Sequence, residues 1–391
     1  LALRHVQRCG AMFAALLAVT AGALLAQDQP APVILGALSK EQAASAEAFA
    51  RAYTQAIASG DLDTCAASWD SERMIELIIE DVKAPAARLK GFLTGMRQGV
   101  QAMIPQICQH WQVREPTFKR VVVIGGVPMA RLRFVGDDGI AFVDFVMRHK
   151  QGEWRIVNLH NRSVGLDMVE QLRMTSLTAL ASLDRGIVER MFGSGITSKD
   201  LKAFGSLGQD AIRGEFQSVI DTYRKLPEGL RNSALATSSY VSALGQVGGD
   251  DDYIKALEDA AARFPAPMFR FMQVDAHFLK KRWSKAITVL EEFAATIGRD
   301  ATLLALHASI LLESGQVPKA MAVMQDALKL EPKCHYANMT SLDVFLKGED
   351  WASVARSIEV LEKDHGYDFR GNIDDEVWAA FKKSPESKPW R

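Results

Sequence analysis

Apolar positions near the C-terminus recur at intervals of 34 residues. Four sets of positions keep this spacing: Trp283, Val317 and Trp351; Ala286, Ala320 and Val354; Leu290, Met324 and Ile358; Phe293, Ala327 and Leu361. A fixed period of this length is typical of a solenoid, in which each helical hairpin buries its apolar face against its neighbours. The pattern therefore predicts stacked helical hairpins over residues 267–368.

The period of the apolar positions changes to that of strands after Pro116. Four segments rich in β-branched or alternating apolar residues are separated by turns, at residues 118–124, 129–135, 140–148 and 154–163. Helical patterns precede these segments, so helices are followed by a meander of antiparallel strands. This order indicates an α+β domain.

Local signals set the expected limits of the first helices. Ser39 and Gln42 have the spacing of a capping box at a helix start. Helical patterning continues over residues 71–111, and we expect interruptions near Pro85 and at Pro105 because proline removes a backbone donor.

The α+β region resembles a known family. The run Phe49-Ala-Arg-Ala-Tyr53, residues 56–63 and Trp69 resemble the opening helices of NTF2-like (cystatin-like cone) domains, and residues 152–157 resemble their last strand. The resemblance covers residues 39–166 and implies helices packed on a curved antiparallel sheet. It also implies dimerisation through the open sheet face. The long helical insertion before the first strand departs from the family and could reshape the mouth of the cone.

The 34-residue units resemble tetratricopeptide repeats, which implies an all-α solenoid with a groove lined by the first helix of each pair. The resemblance assigns twelve groove positions: Met268, Phe271, Asp275, Phe278, Thr302, Ser309, Leu312, Glu313, Tyr336, Met339, Asp343 and Lys347. Large apolar residues with spaced acids suit an extended or helical peptide that carries basic side chains. The alternative is that the large apolar members pack between repeats.

The N-terminal end has the pattern of a targeting segment. Arg4 and Arg8 precede an uncharged apolar stretch at residues 11–26, as in a secretory signal peptide. An uncleaved anchor is the alternative, although the stretch is shorter than the ~20 residues that span a membrane. We therefore expect an exported protein, in the periplasm, the cell envelope or outside the cell. The predicted segments are a signal peptide (1–26), a linker (27–38), the NTF2-like domain (39–166), a helical region with degenerate repeats (167–266), the tetratricopeptide-like repeats (267–368), and a C-terminal cap with a disordered tail (369–391).

Composition excludes some classes of function. The chain carries 46 Lys and Arg against 47 Asp and Glu, without a basic block, which excludes a typical nucleic-acid-binding surface. The motifs of common metal and cofactor sites are absent from the sequence, so we expect no metal and no cofactor. Cys65 and Cys108 lie on predicted helices, and two interpretations stay open, a disulfide in an oxidising compartment or separate buried thiols.

One polar group suggests chemistry in the cone. Asp144 and His160 lie on adjacent predicted strands, and a hairpin centred on Gly152 would place them opposite each other, with Cβ atoms ~5 Å apart. Asn158 would share the face of His160. In the enzymes of the resembled family, a buried carboxylate or histidine can act as a general base. The alternative is a structural ion pair, and a one-residue slip would separate the two side chains.

These observations predict an exported, non-catalytic scaffold that binds a protein or peptide through its helical repeats. The cone would bind a second partner, form a homodimer through its sheet, or cap the repeats. The alternative is small-molecule binding or general acid–base catalysis in the cone.

Overall fold

A computed structural model describes residues 38–80, 82–136, 139–184, 186–264, 269–370 and 376–390. These residues form two compact units, which divide between Met272 and Gln273. The predicted signal peptide, nearly all of the predicted linker, and Met268 lie outside the described residues. Within the described ranges, no helix combines the length and the apolar character needed to cross a membrane.

The described part of the first unit begins with four helices, α1 (Lys40–Ser59), α2 (Leu62–Ala67), α3 (Ser71–Ile78) and α4 (Ala86–Gln112). Ser39 and Gln42 form the predicted capping box at the start of α1. The predicted interruption at Pro105 is wrong, because α4 continues through this residue. Ile104 and Cys108 flank the proline and are buried, so packing of this face offsets the one backbone hydrogen bond that proline removes.

Five antiparallel strands follow in sequence order, β1 (Thr117–Ile124), β2 (Val127–Gly136), β3 (Gly139–Lys150), β4 (Glu153–Asn161) and the short β5 (Leu166–Asp167). The first four confirm the predicted strands and the α+β architecture. One sheet face packs on the helices, where the Phe145 ring contacts Tyr53, Trp69 and Trp111. The opposite face holds a smaller buried apolar cluster that includes Val122.

Helices complete the first unit: α5 (Met168–Thr175), α6 (Leu177–Leu183), α7 (Gly186–Phe192), α8 (Ser198–Ile212), α9 (Phe216–Lys225), α10 (Glu228–Arg231), α11 (Ala234–Val247) and α12 (Asp250–Arg263). Helix α11 packs against both α9 and α12. It is buried over most of its length, which makes it the centre of this helical region.

The second unit contains three helical hairpins: α13 (Gln273–Leu279) with α14 (Trp283–Ile297), α15 (Ala301–Glu313) with α16 (Val317–Leu330), and α17 (His335–Lys347) with α18 (Trp351–His365). The second helices of the hairpins begin 34 residues apart, at Trp283, Val317 and Trp351. The repeated positions of the sequence lie in the core of this unit, and Ala320 and Met324 are 0% exposed. Neighbouring hairpins pack along the chain, because α17 contacts both α15 and α16.

The C-terminal segment is packed rather than extended. A 3-10 turn (Glu376–Trp378), α19 (Ala379–Lys383) and a second 3-10 segment (Pro385–Trp390) follow the last hairpin. Phe381 and Trp390 are buried in the core of the second unit. Charge and proline content predict disorder after residue 382, but burial of these two aromatic rings holds the segment against the hairpins.

Candidate functional site

Asp144 and His160 are Cα partners on β3 and β4, in the predicted register. The turn between the two strands differs from the predicted turn. Next to the turn, Lys150 pairs with Glu153, so the hairpin is not centred on a single residue. A bulge after Val146 shifts the pairing by one residue, and this shift brings Asp144 opposite His160.

The Asp144 carboxylate is fully buried and is held by two arginines. Arg131 Nε and Nη2 each donate to one of its oxygens at 2.7 Å. Arg162 Nε lies 3.1 Å from Asp144 Oδ2. Asp144 therefore pairs with these two arginines, although His160 lies opposite it on the next strand. Protonation of Asp144 would weaken both charge-assisted contacts, so this carboxylate is poorly suited to act as a general base.

His160 pairs with Asp167, at the start of α5. His160 Nε2 lies 2.7 Å from Asp167 Oδ2, which also accepts a hydrogen bond from Asn158 Nδ2 at 2.8 Å. The other oxygen of Asp167 accepts from the backbone N–H of Glu170. Burial by itself would raise the pKa of Asp167, but hydrogen bonds from His160, Glu170 and Asn158 hold it below its ordinary value. The structure thus brings Asn158 and His160 together on a carboxylate that the sequence analysis missed.

The sequence contains a signal for Arg131 as the partner of Asp144, and another for Asp167 as the partner of His160. Gly136 pairs with Gly139 across the β2–β3 turn, which places Arg131 directly opposite Asp144. The same turn reasoning that aligned β3 with β4 would have found this pair. Asp167 stands immediately before a helix and accepts from the third residue of its first turn, as an N-cap does.

The predicted groove positions occupy several environments. Thr302 and Ser309 are buried inside α15, whereas Glu313 and Lys347 are exposed. Phe271 precedes α13 and belongs to the first unit, so it is not on the first helix of a hairpin. The remaining described positions are half-buried on first helices: Asp275, Phe278, Leu312, Tyr336, Met339 and Asp343.

Several half-buried members make packing contacts. Leu312, Tyr336 and Met339 pack against the buried core of the second unit, and the Phe278 ring meets Trp283 edge to face at 5.1 Å. Asp343 differs, because it has no ion pair within 4 Å among the residues that the structure describes. Burial raises the pKa of this carboxyl. A half-buried acid that forms no ion pair with a described residue is a place where a basic group of a partner would be stabilised.

Cys65 and Cys108 are buried thiols, between α2 and α4. A hydrogen bond to Cys108, together with burial, raises the pKa of the Cys65 thiol above its usual range. Tyr53 Oη lies 3.7 Å from Cys108 Sγ and accepts a hydrogen bond from Trp69 Nε1 at 3.1 Å. The two thiols are therefore neighbours in one buried polar cluster with Tyr53 and Trp69.

A polar cleft of about 580 Å³ lies in the first unit, between α9, α10, α11 and α12. The Tyr223 and Tyr240 rings stack in it, with centroids 4.1 Å apart and planes inclined by 6°. Basic and acidic side chains surround the ring pair: Arg224, Arg231, Lys255 and Arg263, with Glu228, Asp252 and Asp259. The helices of this region lack a clear period in the sequence, so no site is predicted there.

Two surfaces thus carry charged side chains that form no ion pair with another described residue, the Asp343 face of α17 and the cleft beside α12. Neither contains a grouping that identifies a reaction. The chain matches no protein-family model, no curated protein and no solved structure.

Proposed function

We propose that this chain is an exported, non-catalytic scaffold that binds a protein or peptide through its C-terminal helical hairpins. In this proposal the hairpins are of the tetratricopeptide type and residues 39–166 are an NTF2-like cone. The observation that carries the proposal is the half-buried carboxylate of Asp343 on the first helix of a stacked hairpin, which forms no ion pair within 4 Å with another described residue.

The surroundings of Asp343 indicate the chemistry of the partner. Tyr336, Met339 and Asp343 follow the spacing of one face of α17 and are all half-buried. Asp275 occupies the equivalent position two repeats earlier and is also half-buried. A ligand with a Lys or Arg side chain opposite Asp343, and an apolar side chain over Tyr336 and Met339, would offset the desolvation of the acid.

A second candidate function is proton transfer or small-ligand binding in the sheet domain. The observation that favours it is the contact of 2.7 Å between His160 and Asp167, with both side chains partly exposed. A carboxylate in this position orients the imidazole, as in sites where a histidine transfers protons.

The test compares the full-length wild type and two charge-reversal variants, with His160→Gln as a further variant, in crosslinking capture from a native extract. Asp343→Lys reverses the charge on the proposed face, and Glu359→Lys makes the same change at an exposed position of α18. A partner that the wild type and Glu359→Lys both capture, but Asp343→Lys does not, would support the proposal. Equal capture by all three proteins, or no capture by any of them, would contradict it. A partner lost with His160→Gln instead would favour the sheet domain.

A further inference from the structure

The cleft beside α12 contains opposite charges that stand close together along one helix without pairing. Lys255, Asp259 and Arg263 are exposed and lie four residues apart on α12. This spacing lets opposite charges on a helix contact each other. Across the part of the chain that the structure describes, however, none of the three forms an ion pair within 4 Å. Their charges are therefore available to a ligand.

The floor of the cleft adds an aromatic surface. Tyr223 is buried and Tyr240 is half-buried, and the two stacked rings are nearly parallel. Neither hydroxyl hydrogen-bonds to another described residue. The pair therefore offers apolar ring surface together with two polar groups that can donate or accept. Arg231, also half-buried, lines the same cleft.

The spacing of the charges matches an extended peptide. Four residues of a helix rise by about 6 Å, so the three charges repeat at that distance along α12. In an extended chain, side chains two residues apart project from one face at about 6.7 Å. Three alternating side chains of a peptide can therefore each lie near one charge of the row. The carboxylates of Glu228 and Asp252 in the cleft disfavour a ligand made mainly of phosphates.

We propose that this cleft binds an extended peptide segment of about five residues that carries acidic, basic and acidic side chains at alternating positions. The acids face Lys255 and Arg263, the basic side chain faces Asp259, and an intervening apolar or aromatic residue contacts Tyr240. The cleft volume of about 580 Å³ lies within the usual range for ligand sites. The site belongs to the first unit and does not depend on the hairpin groove proposed above.

The test uses two synthetic peptides with blocked ends, Glu-Phe-Lys-Phe-Glu and its charge-inverted form Lys-Phe-Glu-Phe-Lys. Titration calorimetry with the full-length chain at low salt should show at least about tenfold tighter binding of the first peptide, because like charges in the inverted form repel. The variant Lys255→Glu, Asp259→Lys, Arg263→Glu should prefer the inverted peptide by a similar factor. All three positions are exposed, so the circular dichroism spectrum should stay that of the wild type.

The matched control is Arg356→Glu, Glu359→Lys, Lys363→Glu, which reverses a base–acid–base row on exposed positions of α18. It should leave the peptide preference unchanged, and Asp343→Lys should do the same. Binding of both peptides within about threefold, or no binding of either at about 1 mM, would overturn the proposal. A triple α12 variant that kept the preference of the wild type would also overturn it, because other residues of the chain would then recognise the charges of the peptide.

Discussion

Replacing Asp144 by alanine should strongly destabilise the sheet domain. The carboxylate is 0% exposed and accepts two hydrogen bonds from Arg131, whose side chain is also 0% exposed. The substitution leaves this buried guanidinium without its bidentate partner and removes a carboxylate that lies 3.1 Å from Arg162 Nε. Removal of one member of a buried ion pair typically costs about 3–5 kcal/mol. Since a domain is stable by only about 5–15 kcal/mol, the loss would be a large fraction of the total.

A double variant separates the loss of the pair from the penalty of an isolated charge. Asp144→Leu with Arg131→Met removes both charges of the bidentate contact, and such apolar replacements are often neutral or stabilising. We therefore expect the double variant to recover about half or more of the stability that Asp144→Ala loses. Arg162 remains in both proteins and is 14% exposed, so its guanidinium can turn toward water.

Urea titrations followed by tryptophan fluorescence measure these differences in the free energy of unfolding. Glu153→Gln serves as the control, because it breaks an exposed ion pair with Arg155 and should change stability by less than about 0.5 kcal/mol. The reasoning would be refuted by a loss below about 1 kcal/mol in Asp144→Ala, or by a double variant no more stable than the single one.

Three further predictions concern other parts of the chain. Met324→Ala should cost about 2–5 kcal/mol in urea titrations, because this side chain is fully buried at the centre of the second unit. Ser39→Ala should cost about 1 kcal/mol by the same measurement, since it removes the capping box of α1. The folded-state pKa of Asp167 is depressed, so its contribution is complete above the unfolded-state pKa of about 3.9 and is lost as the pH falls through the folded value. Melting temperatures measured against pH should fall less steeply in this acidic range for Asp167→Asn than for the wild type.

The elements that could be read from the sequence are those whose signal is local or strictly periodic. The capping box at Ser39 needs only residues within one turn of a helix. The hairpins of the second unit follow from a period that repeats three times, so an error at one position does not move the rest. Strand limits were equally clear, because glycine-containing turns separate segments with strand character.

The sequence predicts the pairing of side chains in the sheet less well than it predicts the strand limits. The predicted register of Asp144 and His160 is correct only because a bulge follows Val146, and the sequence of the turn does not indicate this bulge. Even with that register, Asp144 bonds to Arg131 and Arg162, and His160 bonds to Asp167. Strand pairing places Arg131 and His160 opposite Asp144 on its two neighbouring strands, but pairing alone does not state which of the two side chains the carboxylate contacts.

The sequence by itself determined the order and type of the first four strands and of the helical hairpins, because backbone preferences and apolar periods act over a few residues or one repeat. Only the tertiary structure decided that α4 continues through Pro105, that Trp390 is buried, and that Lys255, Asp259 and Arg263 border a cleft with Tyr240. These outcomes depend on which distant surfaces meet. Burial and charge pairing are properties of neighbours in space, and neighbours far apart in the chain leave no local pattern from which they can be read.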